Sequence, residues 1–139
     1  MIILVAWGLY KYVGQEAIMF SNAEGISRYI KENSPADAML FGDTKTVPLI
    51  AILTGRQIAY NEVDANIMRF MSNPEELKGI ISRLETSNRP TVLVIHSTLG
   101  FGVLPEVKGY IKRDCKPMRM FREPMGDYLV YYCGASHTG

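Results

Sequence analysis

The chain has 139 residues, the length of one domain with a sizeable core. Fifteen basic residues against fourteen acidic ones give a net charge of +1, and no basic cluster follows one face, so nucleic-acid binding is disfavoured. The cysteines (Cys115, Cys133) and histidines (His96, His137) lack the spacing of a metal site, so we expect neither a metal nor a cofactor.

Residues 1–20 form a separate segment that contains an apolar run over residues 2–13. The run is shorter than the 20 or so apolar residues of a membrane-spanning helix, and it lacks the basic start of a signal peptide. Aromatic and cationic side chains lie at its far end, as they do at a membrane–water boundary. Two interpretations stay open: a buried element of the domain, or a membrane-proximal segment that continues a transmembrane helix.

Residues 21–133 are predicted to form one α/β domain. The first half of the pattern comprises a helix capped by Ser21 and Glu24 and ended by Pro35, a strand over residues 39–41, a helix from Asp43 or Thr44 to Gly55, and a strand over residues 57–60. The second half comprises a helix starting at Asn73 and Pro74, a strand over residues 91–95, a helix starting at Pro105, and a hairpin of residues 118–122 and 128–133.

This order predicts a three-layer Rossmann-like domain with a mostly parallel sheet and a C-terminal antiparallel hairpin. The strand over residues 91–95 is apolar throughout, as a strand covered on both faces should be. Residues 128–133 are more apolar than residues 118–122, so we place them inside the sheet and their partner nearer the edge. Residues 134–139 are small and polar, and we expect them to be a flexible tail.

We expect the two cysteines to be separate small apolar residues rather than a pair. A turn at residues 124–127 would put Cys133 opposite Met118, about three residues from Cys115, which is too far for an unstrained bridge. A disulfide stays open if the domain faces an oxidising compartment.

Ligands of open α/β sheets bind beyond the carboxyl ends of the strands, where three loops should gather. The candidate binding residues are Asp43, Thr44 and Lys45 in the first loop, Asn61, Glu62 and Asp64 in the second, and His96 and Ser97 in the third. The first loop is read as an anion site or, as we favour, a helix cap. The second is a cation or sugar-hydroxyl site or a solvated loop. In the third, His96 is a general base beside Ser97 or, as we favour, bonds nearby backbone.

Four stretches carry a resemblance to a known family: SNAEGISRYI at residues 21–30, PADAMLFGD at 35–43, VPLIAILTGR at 47–56 and NEVD at 61–64. They resemble the extramembrane C-terminal domain of multispanning glycosyltransferases. The family includes the dolichyl-phosphate-mannose protein mannosyltransferase type and its aminoarabinose-transferase-like relatives, especially in archaea. In these proteins the last transmembrane helix runs directly into the domain, which would explain residues 2–13.

The resemblance implies an accessory domain, membrane-associated on the extracytoplasmic face, that caps the membrane active site, contacts acceptor or glycan, or mediates assembly. Its implied partners are the membrane portion of the glycosyltransferase, a polyprenyl-phosphate sugar, and a glycan or protein acceptor. The family's catalytic carboxylate lies between early transmembrane helices, so no catalytic residue carries over, and we expect the chain alone not to be catalytic. Two alternatives stay open: a stand-alone, cytoplasmic soluble module that binds a small anion, and a hydrolase or transferase using His96 and Asp43.

Overall fold

The computed structural model describes residues 23–124 and 126–134. The expectations for residues 1–20, for Ser21 of the capping box and for residues 135–139 lie outside this part of the chain. The helices are α1 (residues 23–33), α2 (Val47–Thr54), α3 (Ile67–Ser72), α4 (Pro74–Glu85) and α5 (Pro105–Asp114). The strands are β1 (Met39–Gly42), β2 (Thr91–His96), β3 (Cys115–Phe121) and β4 (Tyr128–Cys133). None of the described helices has the length and apolar character needed to cross a membrane.

The protein is a mixed α/β structure whose four-stranded open sheet has the order β1-β2-β4-β3. The strand β1 is parallel to β2, whereas β2–β4 and β3–β4 are antiparallel, so the expectation of a mostly parallel sheet is wrong. The expected strand over residues 57–60 is also wrong, because only Ile58 forms a bridge, to Leu40. Tyr60 and Asn61 then take φ angles of 53° and 59°, which turn the chain away from the sheet.

The positions of β2, β3 and β4 confirm the expectations drawn from their hydrophobicity. Every residue of β2 is buried, and β4 lies inside the sheet with β3 at the edge. Because side chains alternate along a strand, the sheet supports an apolar cluster on each face. On one face α3, α4 and α5 contribute Phe70, Leu77 and Tyr110, and on the other α1 and α2 contribute Ile30 and Ile50.

The start of α4 agrees with the sequence. Asn73 caps α4 and Pro74 is its first residue, as expected. The short helix α3 was not expected, although the Asn66 side chain caps it by accepting a hydrogen bond from the Met68 amide at 2.8 Å. The helix α2 begins at Val47, later than expected.

Cys115 and Cys133 form a disulfide with Cα atoms 4.0 Å apart, so the expectation of separate cysteines is wrong. The error lay in the hairpin register. The connection between the strands spans residues 122–127 rather than 124–127, since Phe121 pairs with Tyr128. A register shift between Pro117 and Arg119 moves the pairing by one further residue. The two cysteines thereby become direct cross-strand partners.

Candidate functional site

We place the candidate site at the carboxyl ends of β1 and β2. After these two neighbouring strands, the chain continues toward opposite faces of the sheet. After β1 it enters α2, which packs with α1, and after β2 it enters α5, which packs with α3 and α4. Where the connections of neighbouring parallel strands diverge in this way, the region beyond the strand ends is the usual ligand position in open α/β sheets. We name residues 43–46, 63–64 and 96–100, with Tyr128, the strand-end crevice.

Gly42 allows the first loop to lie close to β2. Its φ is 150°, and a Cβ atom there would lie 1.9 Å from the carbonyl oxygen of Val94. The next amide, that of Asp43, donates to the same Val94 oxygen at 2.8 Å. A glycine is therefore required at this position, since any side chain would push β1 away from β2.

Asp43 caps the turn that precedes α2 rather than α2 itself. Its Oδ1 accepts a hydrogen bond from the Lys45 amide at 2.9 Å, and its backbone oxygen accepts from the Thr46 and Val47 amides. Thr46 occupies the cap position of α2 without a side-chain cap bond. The Oδ2 atom of Asp43 faces the third loop, since a Cβ on Gly100 would lie 3.3 Å from it. The carboxylate thus stands between the first and third loops.

Thr44 joins the first loop to the second. Its hydroxyl donates to the Val63 carbonyl at 3.1 Å and lies 3.5 Å from Oδ1 of Asp64. A hydroxyl has one proton, so the shorter contact to Val63 is the bond that it makes. The Asp64 side chain is exposed beside it, and Lys45 is exposed on the neighbouring turn. The structure therefore brings Asp43, Thr44, Lys45 and Asp64 together.

Asn61 and Glu62 have no hydrogen-bond or ion-pair contact with the first loop among the described residues, in contrast to Asp64. The Glu62 carboxylate forms an ion pair with Arg69 at 3.0 Å, and Arg69 also bonds the Asp64 carbonyl and the Glu76 carboxylate. The hydrogen bond from Arg69 lowers the pKa of Glu76. Glu62 therefore helps to fix the second loop to α3 and α4, while Asn61 is exposed in the left-handed conformation.

His96, at the end of β2, is 7% exposed and is bonded by nearby backbone. Its Nδ1 atom accepts hydrogen bonds from the amides of Thr98 at 3.2 Å and Leu99 at 3.1 Å. The ring also packs edge-on against Tyr128, with centroids 5.3 Å apart, and a Cβ on Gly126 would lie 2.3 Å from its Cε1. Two donors on Nδ1 hold the lone pair of that atom, so Nδ1 is not placed to take a proton from a substrate.

Ser97 begins the third loop and is only partly exposed. Its amide donates to the Asp127 carbonyl at 2.8 Å, which connects the loop after β2 to the start of β4. This backbone bond places the residue at the rim of the crevice.

Thr46 and Tyr128 belong to the crevice and were missed from the sequence. The Thr46 hydroxyl donates to the Tyr128 hydroxyl at 2.9 Å. Burial raises the pKa of Tyr128; the Thr46 bond opposes this rise and the nearby Asp43 carboxylate adds to it. The missing signal was strand pairing: Tyr128 is the partner of His96, so predicting the β2–β4 register would have placed it here.

The crevice presents two carboxylates, Asp43 and Asp64, beside the hydroxyl groups of Thr44 and Tyr128. Carboxylates accept hydrogen bonds from hydroxyl groups and repel anions, so the arrangement suits a neutral ligand rich in hydroxyls better than an anionic one. Among the described residues no group of three or more His, Cys, Asp or Glu side chains is arranged to hold a metal ion. Neither a family model, nor a curated protein, nor a solved structure matches the chain.

Proposed function

We propose that this chain is an accessory domain of a membrane glycosyltransferase that uses polyprenyl-phosphate sugar donors. The domain is non-catalytic by itself, and its strand-end crevice contacts hydroxyl groups of the glycan or acceptor. The observation that carries the proposal is that the described part of the four stretches resembling this family, which lie three or four residues apart in sequence, packs as one unit around β1 and the crevice.

Two sets of hydrogen bonds join these stretches. Arg56, at the end of the third stretch, donates to the carbonyl of Ile30 at 3.0 Å and of Ser34 at 2.9 Å, and so fixes the end of the first stretch. These two carbonyl acceptors compensate the cost of burying the Arg56 guanidinium. Thr44, which follows the second stretch directly, donates to Val63 in the fourth. A resemblance spread over one packed unit supports a shared structural role better than matches scattered over the fold.

The chemistry of the crevice supports contact with sugar hydroxyls. Sugar-binding sites need acceptors for hydroxyl protons, which Asp43 and Asp64 supply, and Thr44 and Tyr128 add further hydroxyl groups. The alternative of an anion-binding module has less support because two carboxylates stand beside Lys45. The alternative of a hydrolase or transferase has less support because backbone amides hold Nδ1 of His96.

The Cys115–Cys133 disulfide supports the extracytoplasmic face. Disulfides persist in oxidising compartments and are rare where thiol reductants are maintained. A cytoplasmic location predicts two reduced thiols. To distinguish the two locations, whole cells are quenched with acid, and the thiols are then alkylated either directly or after reduction. Mass spectrometry of the chain counts the labels. An extracytoplasmic chain should take up label only after reduction.

The same proposal includes the finer description of the fold as three-layer and Rossmann-like. It is supported by the parallel β1–β2 pair and by helices on both faces of the sheet. The antiparallel position of β4 next to β2 distinguishes the sheet from an all-parallel one.

Titration by NMR tests the ligand class. A mannose oligosaccharide should shift the amide signals of Lys45, Asp64 and Thr98, and Asp64→Ala should weaken those shifts. The control Glu75→Ala, at an exposed site on α4, should leave them unchanged. Shifts caused by inorganic phosphate but not by the oligosaccharide would instead favour the anion-binding module.

Two further observations test the role beside a membrane enzyme. The gene should encode a series of hydrophobic segments upstream of this domain or in a neighbouring reading frame. The purified chain should transfer no sugar from a polyprenyl-phosphate donor; transfer above a boiled control would refute the non-catalytic role.

A further inference from the structure

The helix α1 begins at the same edge of the sheet as the strand-end crevice. Its Ile26 and Ile30 side chains pack on the sheet, and its last turn is bonded by Arg56, just after the end of α2. Residues 34–38 then lead directly to Met39, the first residue of β1. The end of α1 therefore lies at the amino end of β1, and α1 runs opposite to that strand.

The length of α1 carries its first residue across the sheet. Residues 23–33 span roughly 16 Å as a helix, close to the roughly 20 Å length of β2. The Tyr29 side chain contacts the middle and the carboxyl end of β3. Its ring packs against Phe121, with centroids 5.7 Å apart, and its hydroxyl donates to the Met118 carbonyl. Phe121 is paired with Tyr128 at the crevice. Residue 23 thus lies at the strand-end edge, where the chain enters from the segment that contains the apolar residues 2–13.

Two exposed aliphatic side chains lie on this edge. Val63, bonded to Thr44 beyond the end of β1, is 52% exposed, and Leu99, beyond the end of β2, is 59% exposed. Exposed charges of both signs lie along the same edge: Lys45 and Asp64 in the loops next to Val63, and Arg122 directly after β3. Aliphatic tips among balanced charges fit the interfacial region of a zwitterionic bilayer, where apolar groups insert and charges stay in water.

We propose that the strand-end edge is the side of the domain that faces the membrane, with Val63 and Leu99 inserted into the surface of a lipid bilayer. The inference rests on the proposed function, because it takes the domain to work at a membrane. It adds the orientation: the crevice opens toward the bilayer, where a lipid-linked sugar presents its hydroxyl groups. The outer face of α2, where Ile52 is 78% exposed, is then not the docking surface.

The orientation can be measured on the full chain with phosphatidylcholine nanodiscs that contain a gadolinium-chelating lipid. Paramagnetic broadening of amide signals should be strongest at Val63 and Leu99. It should be weaker at Ile52 and weakest at Ser87, which precedes β2 at the opposite edge.

A matched pair of double variants tests the contact itself. Val63→Asp with Leu99→Asp should reduce partitioning into phosphatidylcholine vesicles about tenfold, the effect of removing two partly inserted aliphatic side chains. The control Ile52→Asp with Leu53→Asp should partition like the unchanged protein. Residues 2–13 are present in every variant, so their contribution to binding cancels in the comparison.

Strongest broadening at Ile52 or Ser87, or a larger loss of partitioning in the control pair, would overturn the orientation. Absence of association with either bilayer would overturn it as well. The oligosaccharide titration is carried out without lipid, so it tests the proposed function independently of the orientation at the membrane. If the glycan shifts persist while the broadening lies elsewhere, only the orientation fails.

Discussion

Reduction of the Cys115–Cys133 disulfide should lower the free energy of unfolding by about 3 kcal/mol. The two cysteines are 18 residues apart in sequence, and closing a loop of that size removes roughly 3 kcal/mol of entropy, at 25 °C, from the unfolded chain. In the folded protein the two residues remain direct partners in the β3–β4 ladder, so breaking the bridge should leave the strands in place. The effect therefore acts almost entirely through the unfolded state.

Urea unfolding followed by circular dichroism, with and without a thiol reductant, measures this effect. With a urea slope of about 2 kcal/mol per molar, the midpoint should fall by about 1.5 M. The slope should also rise, because an unfolded chain without the cross-link exposes more surface. A double variant, Cys115→Ala with Cys133→Ala, should not respond to the reductant. A fall of less than about 0.5 M, with both thiols shown to be free by alkylation, would refute the loop-entropy reasoning.

Three further predictions concern single side chains. Asp43→Ala should cost about 1 kcal/mol by removing the cap on the Lys45 amide, whereas Asp43→Asn, which keeps an acceptor, should be nearly neutral in urea unfolding. Tyr110→Phe should stabilise the protein by about 1 kcal/mol, because the hydroxyl is buried without a hydrogen-bond partner among the described residues. Glu76→Gln should flatten the acid dependence of the urea midpoint. The Arg69 hydrogen bond lowers the pKa of Glu76, so its stabilisation is present above the ordinary value of 4.5 and is lost as pH falls through the lowered pKa.

Each of these predictions has a contrary outcome. Equal losses in Asp43→Ala and Asp43→Asn would show that the charge, not the cap, is what matters. A destabilised Tyr110→Phe variant would mean that the hydroxyl is bonded in solution. An unchanged acid profile in Glu76→Gln would show that the Arg69 contact contributes nothing measurable, as is common for exposed ion pairs.

Much of the local structure was predictable because nearby residues decide it. Asn73 and Pro74 start α4 through a side-chain cap and a fixed φ, which act within one helical turn. The buried β2 strand was recognised from its continuous apolar run. Of the candidate site, Thr44 and Asp64 do lie side by side as expected, but the strand expected before Asp64 is reduced to the single bridge at Ile58, so the contact depends on the turn at residues 60–61 and on the Thr44–Val63 hydrogen bond.

By itself, the sequence determined where α4 and α5 begin and that β2 is buried, since caps, proline positions and hydrophobic patterns act over a few residues. Only the tertiary structure decided which strands pair and in what register. The longer hairpin connection and the register shift at Pro117 together put Cys115 opposite Cys133. The β2–β4 pairing put Tyr128 beside His96 in the crevice. Such contacts join residues distant in sequence, and a slip of one position changes every partner, so no local pattern encodes them.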